Sequence, residues 1–335
     1  MGRYEFWEGL KRPCFDMHLF SKYRTELMGF ATICILICHA PANGVTFHPA
    51  ILKAMGAMQM GVQLFMFLSG IGLYFSLSRE GDELKISRWY KKRLLRLMVP
   101  YWLICGPISL YAFYRGDITL WQLFLCLTTV GNWIGSLYVA WFVAALIPLY
   151  LITPFIVNKI LGSRRQHLVF VFLFLVTFLI QVLLCRYGSQ DSVYVCKLFQ
   201  FVYSVPSFLL GVYCAPLVKR GATLTVGQIV LVLVAVVALW CMLYWLTATK
   251  QYWMFMILFA GGLCVILQNV LISKTLSFVG VISLESYLLN TNLPGLLSLR
   301  GNWGYLMVVV LCILLGWLLH CISNYILHPK SIRNL

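Results

Sequence analysis

Ten apolar stretches follow one another along this chain of 335 residues. They run over residues 25–42, 58–78, 98–114, 138–157, 167–185, 198–217, 225–247, 252–271, 276–297 and 304–327. A hydrocarbon core of about 30 Å takes roughly 20 apolar residues per helix, so nearly all of the sequence is committed to crossing a bilayer. Only 11% of the residues are charged, against roughly a quarter in a soluble domain. Runs such as Ile229 to Leu239 lack the two-residue alternation of an outer-membrane strand, which leaves helices that satisfy their own backbone hydrogen bonds.

The net charge of +16 is a statement about topology before it is one about partners. With the N-terminus inside, only Lys53, Arg115, Arg186, Lys197, Lys250 and Arg300 fall on the outer side, and every other basic residue falls in a cytoplasmic segment. That asymmetry obeys the positive-inside rule, and an odd number of spans would break it. The sequence therefore predicts an all-α, polytopic membrane helix bundle of about ten transmembrane helices with N- and C-termini cytoplasmic. Residues 1–24 form a cytoplasmic N-terminal segment, 25–327 the membrane domain and 328–335 a cytoplasmic tail.

The first 24 residues are mixed and charged rather than patterned as a cleavable signal, so the first span is expected to act as the anchor. Lys11 to Arg24 read as a short surface helix with Trp7, Phe15 and Phe20 at the lipid headgroups. Residues 116–135 read as an outer interfacial or re-entrant element. The twelve cysteines are scattered, without C-x-x-C or a Cys/His spacing suited to zinc; no metal site is expected, and Cys185 and Cys196 alone flank a common outer loop where they could pair. No nucleic-acid module or low-complexity linker is present.

Ionisable side chains at membrane depth are costly and mark functional candidates. His39 lies 15 residues beyond Arg24, about 22 Å along a helix rising 1.5 Å per residue, so it belongs to the outer part of the first span. Arg24, Met28, Ile35 and His39 share one stripe of that helix. Glu285 falls mid-span in SLESYLLN and needs a facing histidine or arginine if it is to stay charged. His320, late in the last span, reads as a structural imidazole, and the same alternative stands for His39. The segment RWYKKRLLRLMVP, Arg88 to Pro100, reads either as a topogenic loop drawn to anionic lipid or as a phosphate clamp built from Arg88, Lys91, Lys92, Arg93 and Arg96, with Trp89 and Tyr90 close by.

The order of these features resembles acyltransferase family 3, a family of bacterial integral membrane O-acyltransferases. The resemblance rests on LMGFATICILICHA (Leu27 to Ala40), GVQLFMFLSGIGL (Gly61 to Leu73), WYKKRLLRLMVPYW and LYVAWFVAALIPLYLITP (Leu137 to Pro154). It implies transfer of an acyl group, usually acetyl, from cytoplasmic acyl-CoA to a hydroxyl of a cell-envelope or surface glycan, in the bacterial cytoplasmic (inner) membrane. It implies no permanently bound cofactor, with acyl-CoA as donor substrate, and membrane lipid and a glycan or lipid-linked glycan as partners. His39 then serves as general base, Glu285 orients its ring or stabilises its cation, and the basic block with Arg24 holds the CoA phosphates. Two positions depart from the family pattern: Met28 stands where many members carry arginine, and Leu146 and Ile147 stand where some carry glutamate. A membrane transporter or sensor of a small polar solute is the competing class, kept open by Gly261-Gly262 and Pro294-Gly295 as possible helix breaks.

Overall fold

A computed structural model describes residues 8–79, 86–134, 140–189, 191–247, 253–267 and 269–328. Trp7, Leu137 and residues 329–335 of the tail lie outside the described residues. The chain is almost wholly helical: α1 Leu19–Lys22, α2 Arg24–His39, α3 Pro49–Ala57, α4 Met60–Arg79, α5 Ile86–Tyr114, α6 Leu120–Leu127, α7 Gly131–Ile134, α8 Trp141–Phe155, α9 Gln166–Tyr187, α10 Val193–Arg220, α11 Val226–Thr247, α12 Trp253–Ile266, α13 Val270–Val281, α14 Ser283–Leu297 and α15 Gly301–Leu327.

Each of the ten apolar runs is helical, but they differ in whether one helix can span alone. Among the described residues seven helices are long and apolar enough to cross a membrane, and α13 with α14, bent by 64° at Ile282, makes an eighth if the pair is one span. The other two runs correspond to α2, of 16 residues, and α12, of 14. Gly261-Gly262 and Pro294-Gly295 lie inside continuous helices, and the break falls elsewhere, two residues after Gly280.

The segment before α2 departs from expectation. Residues Pro13–Asp16 form a strand, β1, paired antiparallel with β2, Thr223–Thr225, and only one helical turn follows in α1. Phe20 is buried, 2% exposed, with its ring edge-on to Phe67 at 5.4 Å; its apolar area is thus withdrawn into the bundle rather than laid on headgroups. Within residues 116–134 lie two short helices, α6 and α7. Among the described residues no disulfide joins Cys185 to Cys196.

The interior is set by places where backbones touch. A Cβ on Gly29 of α2 would stand 1.9 Å from the Leu276 carbonyl of α13, and one on Gly280 of α13 would stand 1.9 Å from the Thr25 carbonyl of α2. A Cβ on Gly211 of α10 would likewise run into the Phe67 carbonyl of α4. Without a hydrophobic drive between helices in lipid, such close approach is what lets dispersion and polar contacts accumulate. Ser273 of α13 adds a hydrogen bond to the Glu26 carboxylate of α2, 2.9 Å. A second polar contact joins α4 to α10, where Ser207 donates to Gln63 at 3.0 Å.

Candidate active site

The end of α2 fixes the position of His39. Pro41 has no N–H and cannot extend the helix; a single tighter turn, Pro41–Asn43, follows, and Gly44 takes the left-handed conformation at φ 81°. The Asn43 side-chain amide donates to the His39 carbonyl at 2.8 Å, satisfying one of the carbonyls a helix end leaves bare. The loop beyond is pinned by Asn302 at the start of α15, which accepts from the Thr46 N–H at 2.8 Å and donates to the Thr46 carbonyl at 3.2 Å.

A chain of hydrogen bonds then assigns the protonation of the ring. Tyr305 of α15 donates its hydroxyl to the Leu36 carbonyl at 2.6 Å, and a carbonyl can only accept. The Tyr305 oxygen is therefore left to accept, and the Asn290 amide nitrogen of α14 donates to it at 2.9 Å. That turns the Asn290 carbonyl oxygen toward His39, 2.5 Å from Nδ1, so Nδ1 carries the hydrogen and Nε2 carries the lone pair. His39 is half-buried.

A cavity of about 600 Å³ lies between α2, α4, α5, α8, α14 and α15. Its wall along α2 runs from Arg24 through Met28 to Ile35, a distance of about 16 Å at the helical rise, and stops one turn short of His39. Arg24, Arg93 and Arg96 line one end with Tyr150, whose phenol lies in the field of all three guanidinium groups. Arg24 is seated by Gly72: its Nε donates to the Leu68 carbonyl at 3.2 Å, and a Cβ on Gly72 would come within 2.6 Å of its Nη2. The far end is closed by Ile35, Phe65, Phe142 and Tyr287.

The basic block divides along the face of α5. Arg93 and Arg96, three residues apart on one side of the helix, turn to the cavity; Arg88, Lys91 and Lys92 are exposed and do not line it. Trp89 shares the inward face, but it is 1% exposed and donates to Ser76 Oγ at 2.7 Å, so its ring braces α5 on α4 and is not open to a nucleotide. Tyr90 is similarly engaged, donating to the Leu151 carbonyl at 2.6 Å.

Glu285 and His39 are not partners. The buried Glu285 carboxylate stands 3.1 Å from Nδ1 of His320, and the Asn324 amide nitrogen donates to Nε2 of the same ring at 2.8 Å. The expectation that Glu285 orients His39 is corrected accordingly: the helix places Asn290 on His39 and Glu285, five residues earlier, against α15 beside the cavity. His320 supplies the facing histidine that Glu285 needed. Asn290, Tyr305, Asn324 and Tyr287 were not singled out from sequence. Only Asn290 carried a signal, as the polar end of SLESYLLN one and a half turns after the glutamate.

Comparison with known proteins gives one match. A family model described as an acyltransferase domain, that of acyltransferase family 3, matches residues 27–321, nearly the whole chain, and the chain belongs to that family. No curated protein matches it, and no solved structure does.

Proposed function

From this membership we propose that the protein is a multi-pass membrane O-acyltransferase that moves an acyl group, in the first instance acetyl, from acyl-CoA to a hydroxyl of a cell-envelope or surface glycan. In this reading both termini and the arginine end of the cavity face the cytoplasm of a bacterial inner membrane. The reading is carried by one observation: a cavity with three arginines at one end extends along α2 to within one helical turn of His39. Arg24, Arg93 and Arg96 supply charge-assisted donors for the phosphates of the donor, and the thioester arm extends along α2 toward the far end.

The chemistry follows from the assigned tautomer. His39 Nε2 accepts the proton of the acceptor hydroxyl as its oxygen attacks the thioester carbonyl. A C–O bond forms, the tetrahedral intermediate collapses, the C–S bond breaks, and the imidazolium returns the proton to the departing thiolate. Asn290 holds the ring through Nδ1 and stabilises the cation, while Glu285 is held by His320, whose other ring nitrogen is bonded to Asn324.

The bend between α13 and α14 favours a second reading, transport of a small polar solute, because interrupted helices line transporter sites. One experiment separates the two. Labelled acetyl-CoA is supplied to the inner face of membrane vesicles bearing wild type or His39→Ala, and label in surface glycan is counted. Transfer by wild type and its loss in a normally inserted His39→Ala protein is the expected result; full transfer by His39→Ala would overturn the mechanism.

A further inference from the structure

A buried hydroxyl at the far end of the cavity is without a use in the account above. Tyr287 of α14 is 4% exposed, lines the cavity and meets no hydrogen-bond acceptor with its Oη. Its oxygen faces the N–H of Phe142 in the first turn of α8, and its ring lies edge-on to that of Phe142 at 5.5 Å. A buried polar group left unpaired costs stability and calls for an explanation in a native fold. Phenylalanine would fill the same apolar space without that cost.

The surroundings say what would satisfy it. Helix α8 begins at Ala140, which offers no side-chain cap, so the partial positive charge of its N-terminus falls at this end of the cavity. Tyr287 stands one turn before Asn290 on α14, and i, i+3 positions are neighbours on a helix surface. Tyr287 thus shares the cavity lining with Ile35 of α2 and precedes Asn290, which holds His39, by one helical turn. An acceptor oxygen carrying developing negative charge would complete the unpaired O–H and lie in the favourable field of the helix start.

We propose that Tyr287 is a further catalytic residue, the donor that stabilises the oxyanion of the tetrahedral intermediate. This rests on the acyl-CoA reading above. When the acceptor oxygen bonds to the thioester carbon, the carbonyl π electrons move onto oxygen, and the Tyr287 O–H donates to that oxyanion. When the C–S bond breaks the carbonyl re-forms, and the tyrosine keeps its proton throughout. Such donors act without reorganisation in a site shielded from water.

The test is Tyr287→Phe in the full-length protein, with three readings. Loss of one oxyanion donor is expected to lower kcat by about 10²–10³-fold, with KM for acetyl-CoA unchanged and thermal stability in detergent equal or higher. Isotope-edited infrared spectra of acetyl-CoA bound to His39→Ala, which holds the donor without turning it over, are expected to show a carbonyl stretch at lower frequency than in the His39→Ala/Tyr287→Phe double variant. Full kcat in Tyr287→Phe alongside an inactive His39→Ala overturns the oxyanion role and leaves the acyltransferase reading standing. A fall in stability with no difference in carbonyl frequency assigns Tyr287 to packing and overturns it as well. If wild type transfers nothing from acetyl-CoA, the acyl-CoA reading fails first and takes this role with it.

Discussion

The rim and the interior of this bundle are made of different helices. Only 6% of the membrane-length window of α11 and 17% of that of α9 are inside the protein, against 67% for the segment containing α3 and α4. The rim helices are unbroken and apolar all round, as surfaces solvated by lipid tails must be. The interior combines long spans such as α5 and α10 with the short α2 and the bent pair α13 and α14; these helices approach one another at glycine and carry Arg24, Arg93, Arg96, His39, Glu285 and Asn290. Apolarity rather than length therefore tracks exposure to lipid: α9 and α11 are the most apolar of the seven spans and the least buried. The segments that do chemistry are those that depart from it, because a polar group at depth needs a partner and a partner needs a neighbouring helix.

The strongest way to break this contrast is to insert the same side chain in both regions. Gly211→Leu should abolish recovery of monodisperse protein in detergent, since its Cβ alone would stand 2.1 Å from the Phe67 carbonyl; Val234→Leu on the exposed face of α11 should leave yield and elution unchanged. Equal losses in size-exclusion chromatography would show that the rim is packed against something other than lipid.

The next contrast lies within one helix. Arg93→Gln with Arg96→Gln should raise KM for acyl-CoA by about 10–100-fold, from charge-assisted hydrogen bonds of about 1.5–3 kcal/mol. Lys91→Gln with Lys92→Gln should change it by less than about twofold, as expected for screened surface charge. Initial-rate kinetics on purified protein decide it, and similar effects from both pairs would return the block to a lipid-contact role.

Asn290→Leu should lower kcat by about tenfold while KM for the donor holds, because the ring loses the acceptor that fixes its tautomer. Gly72→Ala should be milder, a few-fold rise in donor KM with normal folding, since the group displaced is the end of a flexible arginine. The smallest effect belongs to the rim: Leu231→Ala should shift stability by no more than about 0.5 kcal/mol, measured as the midpoint of thermal unfolding.

The same contrast explains what could be read in advance. Helicity and membrane character follow from composition and run length, and the ten apolar runs are all helical. The separation of His39 from Arg24 also followed, because both lie on one unbroken helix and distance along it is arithmetic. Pairing between helices did not follow, because it depends on how each helix is rotated about its axis. Glu285 thus met His320 rather than His39, and Trp89 turned inward to Ser76. The break at Ile282 was not foreseen, because Gly280 beside it is one of many glycines and serves here in close packing on Thr25, and the pairing of Pro13–Asp16 with Thr223–Thr225 joins strands too short and too distant to show a period.

The hydrogen-bond chain from His39 through Asn290 and Tyr305 ends on the main-chain oxygen of Leu36, and that terminus has a consequence for the membrane as an insulator. Protons hop only where each member can receive one and pass one on; a peptide carbonyl is a dead end. A proton captured at Nε2 has no exit along this route and must leave by the face through which it arrived. With His39 in its proposed role, such a bundle would hold an acid–base group without short-circuiting a transmembrane proton gradient.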